Sequence, residues 1–124
     1  MSRPWRLLLC LYLLGWVPLN FATELLSTIP SIGMRGAPAI LELIVHGAAA
    51  MLCATAGWML MIQAPAALDA AAVAVIVSAI VRIQLLFWSV LPRNLAPGER
   101  LPLSALACAN ALFWLVMIGR AKGR

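Results

Sequence analysis

The chain has 124 residues, 65% of them hydrophobic and 10% charged, with a formal net charge of +5 and a mean hydropathy of +1.01. That balance excludes an ordinary soluble domain and points to a membrane protein. It also argues against a nucleic-acid partner, because Arg3, Arg6, Arg120, Lys122 and Arg124 flank apolar runs at the two ends instead of forming a basic surface stripe.

No glycine-rich phosphate loop, internal repeat, low-complexity tract or linker interrupts the sequence, which predicts one domain over residues 1–124. Cys10, Cys53 and Cys108 are odd in number and widely spaced in apolar sequence. Neither a disulfide framework nor a zinc-ligand spacing results, so free, buried thiols are expected.

Residues 1–6 are short and basic and residues 7–17 are apolar, an opening shared by signal peptides and by retained membrane spans. Asn20 and Phe21 stand where small residues precede a cleavage site, so the expectation is a retained span over about residues 5–29, with Pro18 as a kink. Pro30, Gly33, Gly36 and Pro38 then end one helix and start the next. The second span covers about residues 38–62 and carries Ala49, Cys53 and Gly57 at four-residue steps, a small-residue seam that lets a neighbouring helix approach closely.

Gln63-Ala64-Pro65 is too short for anything but a turn, so the third span, about residues 67–91, returns antiparallel beside the second. Its Ala70, Ala74 and Ser78 repeat the same step, which next reaches Arg82 and predicts a buried cation. Residues 92–102 form the longest loop, and its charged stretch from Arg93 to Arg100 reads as solvated loop before docking surface. The last span covers about residues 103–118 and ends in the basic tail. The predicted fold is all-α: an integral membrane four-helix up-down bundle with short loops.

More Lys and Arg lie at the termini than on the first and third connections, where Arg35, Arg93 and Arg100 are found. Both termini are therefore expected in the cytoplasm, with the chain multi-pass in a bacterial inner membrane. Trp5, Trp58 and Trp88 suit the interfaces, while Trp16 and Trp114 lie deeper, lining a cavity or packing.

A rise of about 1.5 Å per residue converts sequence position into depth below the outer helix ends. Glu24 lies about 8 Å down, Asn20 about 14 Å, Glu42 about 6 Å, His46 about 12 Å, Arg82 about 14 Å and Asn110 about 11 Å. Six polar side chains from four helices thus fall in one layer. Glu42 and His46, one turn apart, share a helix face. Arg82 is able to grip a carboxylate in bidentate fashion, with Glu24 and Glu42 the available partners. His46 is of the residue type able to switch near neutral pH, and the asparagines satisfy remaining donors and acceptors. Gln84, two residues past Arg82, points elsewhere.

Two readings of the layer stay open: polar glue between helices, or a functional pocket. Too few further ligands lie near His46 for a metal or haem site, and no cofactor is expected. The expected function is that of a small binding or accessory protein with room for a small polar ligand or lipid, its partners the bilayer and either a second copy or a larger membrane protein. A proton-coupled solute transporter acting as an oligomer is the alternative, since four short spans leave little room for a path within one chain. A membrane-embedded enzyme comes third, because no nucleophile, base and orienting group can be read from the spacing and no catalytic residue is assigned.

Overall fold

The computed structural model describes residues 3–31, 36–87 and 100–122. Trp88, Arg93 and the charged loop before Arg100, like Arg35 in the first connection, lie outside the described residues. The described residues form four long helices: α1 (Arg3–Thr28), α2 (Ala37–Met61), α3 (Ala67–Phe87) and α4 (Arg100–Lys122). All four contain stretches long and apolar enough to cross a membrane. Large apolar side chains cover the outside, Leu11, Leu19, Leu26, Met51 and Leu112 among them. Such a continuous apolar exterior suits lipid and would not be tolerated on a soluble monomer.

Helix α1 is disturbed just before Pro18. Proline removes one backbone donor and its ring crowds the carbonyl four residues earlier. Here α1 widens into a π-helical turn over Tyr12–Trp16, where the N–H of Val17 donates to Tyr12 O, five residues back. This wider turn lets Tyr12, Trp16 and Val17 face inward together. Beyond Thr28 the chain tightens into a 3₁₀ turn, Ile29–Ser31.

The turn between α2 and α3 follows from local hydrogen bonding. Gln63 takes φ 55°, while its N–H donates to Leu60 O at 3.3 Å and that of Ala64 to Met59 O at 3.0 Å. This is a Schellman stop with glutamine in the place usually held by glycine. A compensating contact is present: with the Gln63 amide oriented to suit its neighbours, its oxygen accepts from Arg6 Nη1 and Nη2 at 3.2 and 3.3 Å. Lys122 pairs with Asp69, so α4 is tied to the start of α3 at the same end of the bundle. α4 begins before the expected residue 103 and continues past 118. Pro102 is accommodated because the first turn of a helix has no use for its N–H, and Arg120 and Lys122 in the last turn favour the helix dipole.

The core is unevenly distributed along the bundle axis. In the half that holds the termini, Leu9 and Leu13 of α1, Cys53 and Ala56 of α2, Ala71 and Ala74 of α3 and Ile118 of α4 are almost completely buried and form one apolar cluster. In the opposite half the buried apolar cluster among the described residues is smaller, formed by Ala39, Ala49 and Val81 between α2 and α3. There α1 and α4 stand apart, and α4 leaves Leu101 73% and Leu106 65% exposed.

The small-residue seam of α2 is the tightest part of the packing. Ala49, Cys53 and Gly57 are all buried, and the Cys53 thiol points at Ala74 O of α3 at 3.6 Å. The Cys10 thiol of α1 likewise reaches Gly57 O at 3.7 Å. All three cysteines are free, but Cys108 is exposed rather than buried. Its side of α4 turns away from the other helices, which hydropathy alone does not specify.

Candidate functional site

The opening between α1 and α4 leads into a cavity of about 310 Å³ to which all four helices contribute. α1 supplies Tyr12, Trp16, Asn20, Thr23, Glu24 and Ser27; α2 supplies His46; α3 supplies Ser78 and Arg82; and α4 supplies Asn110. The structure thus brings Asn20, Glu24, His46, Arg82 and Asn110 to one cavity wall, and it does not bring Glu42 there.

Arg82 is exposed to this cavity, contrary to the buried cation expected at the end of the α3 seam. Gripping a carboxylate was the other expectation for it. Instead, with the Asn20 amide oriented to suit its donors, Asn20 Oδ1 accepts from Arg82 Nη2 at 3.1 Å and from Trp16 Nε1 at 3.1 Å. Among the described residues no carboxylate pairs with Arg82. The reason is positional: Asn20 occupies the depth of Arg82, whereas Glu24 lies a turn farther along α1.

Neighbouring side chains fix the wall. Asn110 Nδ2 donates to the Tyr12 hydroxyl at 2.9 Å, linking α4 to α1. Tyr12 also stacks on Trp114, ring centres 6.1 Å apart. On the far side the Phe21 ring packs edge-on against His46 at 5.4 Å and lies over Gly47, where an added Cβ would meet Phe21 Cζ at 3.0 Å. Thr23 and Ser27 donate to the carbonyls four residues earlier, at 2.9 and 2.8 Å. Their hydroxyl protons are thereby committed, and their lone pairs remain available to a ligand donor.

Glu42 and His46 do not form a joint site. Four residues advance about 40° beyond a full turn, enough for two side chains of different length to diverge. Glu42, only 2% exposed, turns to α3 and accepts from Gln84 Nε2 at 2.6 Å. Its second oxygen is buried without a hydrogen-bond partner among the described residues. Glu42 and Gln84 therefore act as a separate polar clasp between α2 and α3. Glu42→Gln, which keeps an acceptor for Gln84, is expected to shift stability by less than about 1 kcal/mol, whereas Glu42→Ala orphans a buried amide and should cost about 1–3 kcal/mol. Unfolding by dodecyl sulfate titrated into maltoside micelles measures both; equal losses would show that the Gln84 bond is not what Glu42 contributes.

Sequence reading passed over Tyr12, Thr23, Ser27 and Ser78 as cavity residues. A signal was present, since Asn20 follows Trp16 by four residues, Thr23 and Glu24 follow Asn20 by three and four, and Ser27 follows those by four and three, all on a single α1 stripe. Among the described residues no three His, Cys, Asp or Glu side chains converge as a metal site would need. Chemically, the cavity offers one exposed guanidinium, several hydroxyls and amides, an imidazole and a carboxylate at its end. That set suits recognition of a small polar or charged group. The chain matches no family model, no curated protein and no solved structure.

Proposed function

We propose that this chain is a small intramembrane binding protein of a bacterial cytoplasmic membrane, and that its four-helix cavity holds one small polar ligand or lipid headgroup. The observation that carries this proposal is the state of Arg82. A cation serving only as glue between helices would be covered and matched by a carboxylate, because an arginine within the bilayer is costly. Arg82 instead faces open cavity space, with Asn20 as its acceptor and no carboxylate partner among the described residues. The cavity volume of about 310 Å³ falls at the lower end of ligand pockets.

We propose further that both termini lie on the cytoplasmic side. Arg3, Arg6, Arg120 and Lys122 support this, since they gather at the bundle end shared with the α2–α3 turn, where positive charge is retained inside. The cavity half then faces the outer leaflet.

Native mass spectrometry of protein gently extracted from its own membrane tests the binding proposal. Wild-type protein is expected to carry one non-protein mass per protomer, and Arg82→Gln to lose it while remaining folded. A bare wild-type protein, or a mass retained unchanged by Arg82→Gln, would contradict the proposal.

A further inference from the structure

We infer that the ligand is an amphiphile with an oxyanion headgroup, which enters sideways from the lipid between α1 and α4. This rests on the cavity being a binding site and adds the ligand's class and route. Two observations carry it. The first is continuity: a second space of about 460 Å³ extends the polar cavity outward between α1 and α4, and Tyr12, Trp16, Arg82 and Asn110 line both. Its outer lip is formed by Leu103 and Leu106. The polar cavity has room for a headgroup but not for a long chain as well. A hydrocarbon tail leaving between α1 and α4 would lie against Leu103, Leu106 and the Trp16 ring, which is 52% exposed.

The second observation is charge placement. Arg82 stands at the junction of the two spaces, where the headgroup of such a molecule would come to rest. Its planar donors match the paired oxygens of a carboxylate or phosphodiester. Asn110 and the Trp16 indole lie on the same walls. Glu24 also lines the polar cavity.

A soluble anion shares the same headgroup chemistry, so the test separates the two sources. Purified protein in uncharged maltoside micelles is titrated calorimetrically with dodecanoate, dodecanol, acetate and inorganic phosphate, for wild type, Arg82→Gln and Leu106→Trp. Dodecanoate is expected to bind one per protomer, at least about tenfold tighter than any of the other three. Arg82→Gln should remove at least about tenfold of that affinity. Leu106→Trp, which fills the outer lip without touching the guanidinium, should weaken dodecanoate by a similar factor.

Acetate or phosphate binding as tightly as dodecanoate would overturn lateral entry and leave the binding site standing. Dodecanol binding as tightly would overturn the charge requirement. Absence of binding by all four probes would overturn this inference, and native mass spectrometry would then decide the broader proposal separately. Because Leu106 faces outward, its variant folds independently of the polar layer, and unchanged dodecanoate affinity in that variant overturns the route even if Arg82→Gln fails to fold.

Discussion

Gly57→Leu is expected to prevent α1 from docking on α2 and to abolish the folded bundle. A Cβ at position 57 would lie 2.6 Å from Leu14 Cγ and 3.2 Å from Leu13 Cβ. Neither neighbour has an easy retreat. Leu13 is fully buried, and both leucines belong to the π turn that precedes Pro18. Gly57→Ala should therefore cost about 1–3 kcal/mol through overpacking, a large share of a total stability of about 5–15 kcal/mol. Leucine adds further atoms to the same clash and exceeds that margin. Gly119→Ala is the internal control: nothing lies within 4 Å of its added Cβ, so a change of less than about 0.5 kcal/mol is expected. Dodecyl sulfate unfolding of the three variants checks the order, and a Gly57→Ala protein as stable as wild type would show that α1 does not approach α2 so closely.

Asn20→Asp is expected to separate stability from binding. The substitution keeps the shape of the side chain and still accepts from Arg82 and Trp16, but it places a carboxylate against a guanidinium that otherwise has none among the described residues. Charge-assisted hydrogen bonds are stronger than neutral ones, so stability should rise by about 1 kcal/mol. The same pairing neutralises the cation, and dodecanoate affinity should fall at least about tenfold. Asn20→Leu, by contrast, strips the acceptor from Arg82 and Trp16 and should cost about 1–3 kcal/mol. If the polar layer were only glue, the more stable Asn20→Asp protein would have no binding to lose. Measured stability and affinity moving together in the aspartate variant would count against the distinction drawn here.

How much of this was legible in the sequence depended on which physical signal was strong. Four apolar runs, each long enough to cross a bilayer and separated by Pro and Gly, sufficed for the helices. The small-residue step through Ala49, Cys53 and Gly57 pointed to the close face of α2. Depth counting brought Asn20, Glu24, His46, Arg82 and Asn110 to one level, because rise per residue is nearly constant.

Rotation about each helix axis was far less legible. Glu42 shares that level, yet its carboxylate reaches Gln84, since the angular lag over four residues and the length of the side chain decide its partner. Arg82 prefers Asn20 to either glutamate for a similar reason. Pro18 signalled a disturbed helix, but the π turn over Tyr12–Trp16 that precedes it left no separate signal. The gap between α1 and α4 left no signal at all, as Leu103 and Leu106 read the same whether they face lipid or a partner helix.

Photoaffinity labelling tests the central claim most directly. Dodecanoate carrying a diazirine on its chain is irradiated with the protein in maltoside micelles, and labelled peptides are mapped. Labels are expected on Trp16 of α1 and on Leu103 and Leu106 of α4, to be displaced by unlabelled dodecanoate, and to vanish in Arg82→Gln. Labels spread evenly over the lipid-facing surface, with Met51 and Ile76 marked as strongly as Leu106 and with no dependence on Arg82, would contradict a headgroup site at this cavity.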